Sequence, residues 1–381
     1  MQGVEEFRSE VRDWLAENLV GEFAALKGLG GPGREHEAFE ERRAWNQHLA
    51  HAGLTCLGWP VEHGGRGLSV AHRVAFYEEY AIANAPAKVN HFGEELLGPT
   101  LIAFGTPEQQ QRFLPRILDV TELWSQGYSE PGAGSDLANV STTAVLDDDE
   151  WVINGQKVWT SLAHWAQWCF VLARSEKGSK RHAGLSYLLV PLDQPGVEVR
   201  PIVQLTGDSE FNEVFFDDAR TDADLVVGQP GDGWRVAMGT LTFERGVSTL
   251  GQQIVYAREL SAVVELAKST GAAEDPLIRE RLTRSWAGLR AMRSYALATM
   301  DVEQPGQDNV SKLLWANWHR DLGEIAMDVQ GKAGLVMTGG DFDEWQRLYL
   351  FSRADTIYGG SNEIQRNIIA ERVLGLPREA R

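Results

Sequence analysis

The fold of this chain is decided by a stretch that reads Tyr128-Ser129-Glu130-Pro131-Gly132-Ala133-Gly134-Ser135-Asp136. Its small residues predict a turn that offers backbone N–H groups and hydroxyls to a ligand. A flat or phosphorylated molecule can approach the main chain closely there, because glycine and alanine leave room. The alternative is an ordinary loop between two structural units, which composition alone favours.

A second stretch follows shortly and reads Asn154-Gly155-Gln156-Lys157-Val158-Trp159-Thr160-Ser161. Asn-Gly is typical of a tight hairpin turn. A tryptophan beside two hydroxyl residues can stack on a heteroaromatic ring and form hydrogen bonds with it. A strand that packs Trp159 into a core is the alternative interpretation.

Working outward from these stretches, the hydrophobic pattern predicts helices, then strands, then helices again. Apolar residues recur at helical spacing in the first third, and the block from about 123 to 233 carries short β-rich runs separated by turns. Strands do not alternate with helices there and no GxGxxG lies in a strand-to-helix context, so a Rossmann sheet is disfavoured. The predicted helices after the first are 37–52, 70–84, 107–118, 234–269, 276–302, 308–330 and 361–374, and the predicted strands are 151–153, 168–172, 185–190, 197–203 and 213–216.

Composition excludes several classes of function. The formal net charge of −18 argues against nucleic acid and anionic membranes as partners. The sequence has no apolar run of about 18 residues, so we expect no membrane span. The first residues do not resemble a signal peptide. Cys56 and Cys169 are far apart, and the nine histidines show no HExxH spacing. We therefore expect neither a disulfide framework nor a metal site, and a reducing cytoplasm as the compartment.

Both stretches, together with a closing Ile357-Tyr358-Gly359-Gly360-Ser361-Asn362-Glu363-Ile364-Gln365-Arg366, resemble the acyl-CoA dehydrogenase family. The resemblance runs over nearly the whole chain, to about Leu376. It implies an α+β multidomain architecture, usually in a dimer or tetramer. The expected parts are an N-terminal helical domain (1–122), a central β-barrel-like domain (123–232) and a C-terminal four-helix bundle (233–381).

The resemblance also implies a flavin cofactor, FAD, and the residues that surround it. Positions that line the flavin and the thioester in the family match Gln126, Tyr128, Ser129 and Ser135. Those against the isoalloxazine ring match Trp159, Thr160 and Ser161, and those near the adenosine match Ser361 and Glu363. Gln330 matches a position that contacts a neighbouring subunit's flavin, and we expect Ser135, Arg245, Tyr358 and Gly359 at the substrate.

The catalytic base is the sharpest departure from the common pattern. The family reaction is α,β-dehydrogenation of an acyl-CoA, in which a carboxylate removes the α proton. Many members carry that glutamate where this chain has Gly359, and a subset carries it on a helix that Leu241-Thr242-Phe243-Glu244-Arg245 resembles. On an ideal helix Glu244 shares a stripe with small and apolar residues and no basic residue, which favours a raised pKa and a general base. A buried structural ion pair is the alternative.

The elements that the family lends to a neighbouring subunit are weakened. The stretch 265–273 lacks the usual arginine and Phe-Gly, and the Gly-rich run after Gln330 is eroded. The chain is therefore expected in one of two assemblies. One is a heteromer with a related subunit, as in some steroid-degrading members, and the other is a homo-oligomer with altered contacts to the flavin pyrophosphate. A flavin oxidase or monooxygenase and a non-catalytic subunit remain alternative functions. The resemblance implies electron transfer flavoprotein as acceptor and leaves three classes of acyl chain open: straight, branched and polycyclic.

Overall fold

The computed structural model describes residues 2–243, 248–299, 306–337 and 339–378. These residues form two compact units. The bundle unit comprises Met1–Glu17, Val70–Asn84 and Val247–Arg381, and the sheet unit comprises Asn18–Ser69 and Ala85–Gly246. The division into three consecutive domains stays a prediction. No helix of the described residues is both long and apolar enough to span a membrane.

The sheet unit is built on one mixed eight-stranded sheet. Its main path has the order β6-β7-β3-β2-β4-β5-β8, and β1 pairs in parallel with β4. The inner strands β4 and β5 are buried along almost their whole length, as expected for continuous apolar runs. The strands are β1 Trp124–Gly127, β2 Thr143–Asp147, β3 Glu150–Ser161, β4 Trp168–Arg174, β5 Leu185–Pro191, β6 Val197–Ile202, β7 Phe211–Asp222 and β8 Val226–Val227.

Several helices of the sheet unit share an apolar core cluster with strands β4 and β5. Thr106 begins one of them with a capping box, in which its hydroxyl accepts from the Gln109 N–H and the Gln109 side chain accepts from the Thr106 N–H. The Gln109 amide also donates to the carbonyls of Asp224 and Val226, at 2.6 and 2.9 Å, and joins this helix to the end of the sheet. These helices are α2 Phe39–His51, α4 Gly98–Phe104, α5 Pro107–Leu118 and α6 Gly233–Phe243.

The bundle unit contains long helices around an apolar core. Tyr256, Val263 and Leu322 are among the fully or almost fully buried residues of that core. Arg8 and Arg12 form ion pairs with the buried Glu79 and attach the first helix to the third. The helices are α1 Val4–Asn18, α3 Val70–Ile82, α7 Ser248–Thr270, α8 Pro276–Thr299, α9 Gln307–Gln330, α10 Glu344–Asp355 and α11 Asn362–Ile368.

Several elements of the structure differ from the sequence analysis. Helix α10 was not predicted, although Asp343 and Gln346 form a capping box at its start and the pattern S/T/D-x-x-E/Q is readable in sequence. Strands β1 and β2 were also missed, because β1 has four residues and β2 is exposed at four of its five positions. The predicted helix 234–269 corresponds to α6 and α7, with 244–247 outside the described residues.

Candidate active site

The two decisive stretches meet in the sheet unit. β1 leads directly into Tyr128, which is buried, and Ser129, which is half-buried. The Val158 N–H donates to the Ser129 carbonyl at 2.9 Å and so joins the loop after β1 to β3. Ser135 lies exposed further along the same loop. The structure therefore places Ser129 of the first stretch beside Val158 of the second.

A buried ion pair holds this junction. The Lys157 ammonium is fully buried and donates to the Glu130 carboxylate at 2.8 Å, to the Tyr128 carbonyl at 3.0 Å and to the Leu172 carbonyl at 2.7 Å. Glu130 also accepts from the Ser141 N–H and hydroxyl, at 2.6 and 2.7 Å. Because each member of the pair has several hydrogen-bond partners, the pair ties the loop, β3 and β4 to one another.

The pKa values of this pair follow from burial and mutual attraction. Burial alone would raise the pKa of Glu130, but the charge of Lys157 and the hydrogen bonds it accepts outweigh that effect and lower the pKa to about 2. Burial lowers the pKa of Lys157, and the nearby Glu130 carboxylate opposes that change. Glu130 is therefore a carboxylate throughout the physiological range and does not act as a base.

Sequence reasoning did not assign a role to either member of the pair. A signal for Lys157 was present, because the period-two alternation of β3 places it on the same inward face as the buried Trp151 and Ile153. A lysine at such a position needs a buried anion nearby. Glu130 is the acidic residue inside the neighbouring Gly-rich stretch.

Trp159 sits on an irregularity of β3. The register against β7 shifts between Lys157 and Thr160, and Trp159 has a φ of +60°, which is uncommon for a bulky residue. Its side chain is 58% exposed and meets Phe211 edge-on at 6.1 Å. The bulge turns the indole out of the core, so the interpretation of Trp159 as a packed core residue is wrong.

Several buried polar atoms near this junction lack partners among the described residues. Nε2 of Gln126 and Oγ1 of Thr160 are among them. The Thr160 carbonyl is engaged, because it accepts from the Asn212 amide at 2.9 Å, and Ser161 beside it is half-buried. A buried donor without a partner costs about 1–3 kcal/mol, which a bound ligand with hydrogen-bonding edges would recover. The two atoms and the exposed indole fit a flat heteroaromatic group such as the flavin ring.

The remaining predicted ligand residues lie in the bundle unit. Tyr358 is half-buried and its hydroxyl donates to the Asp355 carboxylate at 2.6 Å. Gly359 and Gly360 follow with φ of +60° and +88°. The Gln365 amide donates to both of their carbonyls, at 2.9 and 3.1 Å. The loop between α10 and α11 is therefore held at its start and at its end.

The three other predicted cofactor contacts have local roles in the bundle unit. Ser361 is the N-cap of α11, and its hydroxyl accepts from the Ile364 N–H at 3.4 Å. Glu363 is exposed in the first turn of that helix, where hydrogen bonds from its own backbone N–H and the Ser361 hydroxyl lower its pKa. The Gln330 amide donates to Asp343 at 2.6 Å. All three face solvent at least in part.

The predicted base and one predicted substrate contact, Glu244 and Arg245, lie outside the described residues. Of the helical stripe expected around Glu244, Ala237 and Thr240 are fully buried in the sheet unit. Val255, on α7, is 41% exposed. The role of Glu244 therefore stays a prediction from the sequence.

Comparison with known proteins shows the family of this chain. Models of the acyl-CoA dehydrogenase N-terminal, middle and C-terminal domains match residues 2–121, 125–219 and 231–374. The chain is 86% identical over 388 residues to acyl-CoA dehydrogenase IpdE1 of Mycolicibacterium smegmatis, covering 99% of each chain. It is 85% identical to IpdE1 of Mycobacterium tuberculosis, covering 100% of both.

Solved structures share the fold over the whole chain. The Tcur3481-Tcur3483 steroid ACAD is 29% identical with a TM-score of 0.84, covering 99% of this chain and 98% of that one. The ChsE4-ChsE5 complex from Mycobacterium tuberculosis is 30% identical with a TM-score of 0.82 and the same coverage. The architecture predicted from the sequence is thus confirmed. This chain belongs to the acyl-CoA dehydrogenase family of oxidoreductases.

Proposed function

We propose that the chain carries out FAD-dependent α,β-dehydrogenation of an acyl-CoA thioester, with Glu244 as the base that removes the α proton. The observation that carries the proposal is the pair of buried, unpartnered atoms, Gln126 Nε2 and Thr160 Oγ1, where the two decisive stretches meet. The family is FAD-dependent, and these atoms would hold the edge of the flavin. FAD, when bound, accepts the hydride from the β carbon.

The chain's own residues would bind the flavin, orient the thioester and remove its α proton. Trp159 presents its exposed indole for stacking, and the backbone N–H groups and hydroxyls of the 128–136 loop can contact the flavin and the thioester. Gly359 has no side chain that takes a proton, so the base must come from elsewhere. Glu244 follows the last described residue of α6 and matches the helix-borne base of one subset of the family.

For the substrate and assembly, we propose a polycyclic, steroid-type acyl-CoA and a heteromer with a related subunit. The support is of two kinds. The solved relatives include a steroid ACAD and a complex of two different chains. The stretch 265–273 of this chain lacks the arginine and Phe-Gly that family members lend to a neighbour's flavin. Electron transfer flavoprotein is the acceptor that the family implies.

The test compares the wild-type chain with Glu244→Gln, each expressed alone and with a candidate related subunit. Flavin content is measured first, and acyl-CoA thioesters of increasing bulk are then added without oxygen while the flavin absorbance is followed. We expect Glu244→Gln to keep its flavin and to reduce it at least about 10²-fold more slowly, because general-base removal costs that much. Glu198→Gln, at an exposed position of β6, is the matched control and should behave as wild type.

Three results would count against parts of this proposal. Equal flavin reduction by Glu244→Gln and wild type would remove Glu244 as the base. One flavin per chain in the protein expressed alone would remove the need for a heteromer. Faster reduction by short straight-chain thioesters than by polycyclic ones would overturn the substrate class.

A further inference from the structure

Four side chains of the bundle unit form a continuous chain of hydrogen bonds. Glu259 on α7 contacts Nε2 of His319 on α9 at 3.1 Å. Nδ1 of the same imidazole contacts Oδ2 of Asp355 at 2.6 Å, and Oδ1 of Asp355 accepts from the Tyr358 hydroxyl at 2.6 Å. One carboxylate thus connects an imidazole in the core of the bundle to the phenol of the α10–α11 loop.

The His319 imidazole in this hydrogen-bonded network is a cation at neutral pH. Burial would lower the pKa of His319, but hydrogen bonds to Asp355 and Glu259 and their charges outweigh it and raise the pKa to about 10. Tyr256 stacks on the same ring with centroids 4.6 Å apart and, being buried, has a raised pKa of its own. His319 is therefore faced by two carboxylates and one neutral phenol.

Lys312 adds a second cation on the other side of the loop. Its ammonium donates to the Asp355 backbone carbonyl at 2.8 Å. It also lies 4.0 Å from the ring centre of Trp315 and 4.3 Å from that of Tyr358, within cation–π range. The two cations lie near the carboxylates of Asp355, which is buried, and Glu259, which is partly exposed.

The loop between α10 and α11, which this network holds, contains residues with high conformational freedom. Asp355 is the last residue of α10, and the loop that follows contains Gly359 and Gly360, both at positive φ. Two such glycines lose much conformational entropy when the loop is ordered. The Tyr358 hydroxyl fixes the loop before the glycines, and the Gln365 amide, itself held by Asn309 at 2.5 Å, fixes it after them.

We propose that Asp355, held by the His319 imidazole, is a positioning residue that fixes the Tyr358 ring and the Gly359 backbone in the geometry needed for thioester binding. The inference rests on the proposed function, in which Tyr358 and Gly359 contact the substrate. Apolar packing would stabilise a bundle core at least as well as buried charges. What the charges add is a single direction for the Tyr358 hydroxyl, and a misplacement of about 1 Å at a reacting centre can cost about 10²-fold in rate.

The experiment uses the flavin-loaded protein, with its partner subunit if flavin binding requires one, and the thioester that reduces wild type fastest. Tyr358→Phe removes only the hydroxyl, and Asp355→Asn keeps the shape but weakens the hold of His319. We expect both variants to keep their flavin and to reduce it about tenfold or more slowly at saturating thioester. Asp328→Asn is the matched control, because Asp328 is an exposed carboxylate of the same bundle that pairs with Arg281.

A pH profile separates positioning from simple stabilisation. We expect the wild-type rate of flavin reduction to fall at alkaline pH, where His319 loses its proton. Glu259→Gln removes one of the two carboxylates that keep His319 cationic, so this fall should move to lower pH. A purely structural role would lower the melting temperature of the variants and leave the rate profile unshifted.

The possible results decide the inference cleanly. Wild-type rates and an unshifted profile in all three variants would overturn it while leaving the dehydrogenase function intact. If Asp355→Asn does not fold, Tyr358→Phe still decides, because it deletes a single oxygen. If no thioester reduces the wild-type flavin, the proposed function fails and the inference fails with it.

Discussion

Replacing Lys157 with methionine should destabilise the sheet unit strongly. The ammonium is fully buried and donates to the Glu130 carboxylate and to the carbonyls of Tyr128 and Leu172. Losing a donor costs roughly 1 kcal/mol at each neutral carbonyl and about 1.5–3 kcal/mol at a carboxylate. A second comparison gives a similar figure, because removing one partner of a buried ion pair destabilises proteins by about 3–5 kcal/mol. We therefore expect Lys157→Met to lower the free energy of unfolding by about 4 kcal/mol.

The assay is urea denaturation of the flavin-free protein at neutral pH, with flavin affinity measured separately. Flavin affinity should fall as well, because the same ammonium holds the loop after β1 against β3. Lys268→Met is the matched control, since Lys268 is exposed and its ion pair with Glu265 is worth less than about 1 kcal/mol. The double variant Glu130→Gln/Lys157→Met should recover about 1–2 kcal/mol of the loss, because it no longer buries an unpaired carboxylate.

One result would refute this reasoning. If Lys157→Met and Lys268→Met unfold within about 1 kcal/mol of each other, water or a rearranged donor satisfies Glu130 and the ion pair does not hold the junction.

Three further predictions follow from single contacts. Gln126→Leu should raise the stability of the flavin-free protein by about 1 kcal/mol and weaken FAD binding about tenfold, measured by flavin fluorescence titration; unchanged affinity would contradict the role of this amide. The folded pKa of His319 is about 10, above the unfolded value of 6.5, so its stabilising contribution is complete below pH 6.5 and is lost as pH rises towards 10. Denaturation at a series of pH values should show this fall in wild type and a flatter curve in His319→Gln. Gly98→Ala places a Cβ 1.9 Å from the Trp59 ring and should cost about 1–3 kcal/mol, whereas Gly132→Ala meets nothing within 4 Å and should be neutral in thermal unfolding.

Local sequence patterns were enough for most of the fold. Long periodic segments such as those of α2, α5 and α9 were predicted within a few residues of their observed bounds, because their apolar spacing is strong. The capping box that begins α10 was readable but was overlooked. β2 could not be found by burial alternation, because it is almost entirely exposed and exists by pairing with β3.

Part of the candidate site could also be read from sequence. Gln126, Trp159 and Thr160 were assigned from the resemblance, and the structure leaves the Gln126 Nε2 and Thr160 Oγ1 atoms buried without a partner and the Trp159 indole exposed. The direction of the Trp159 side chain could not be predicted, because it depends on a bulge that only the pairing of β3 with β7 creates. The Glu259–His319–Asp355 network was equally invisible, since its members are far apart in sequence and on three different helices.

The sequence by itself determined the family, the order of helical and β segments, and the absence of a side chain at position 359 that could act as a base. Those properties depend on residue types and on short spacings, which are present before the chain folds. Only the tertiary structure decided which charges are buried and paired, as with Lys157 and Glu130, and which polar atoms are left for a ligand. Such properties arise from contacts between distant segments, and burial then fixes their energies by removing water from each group.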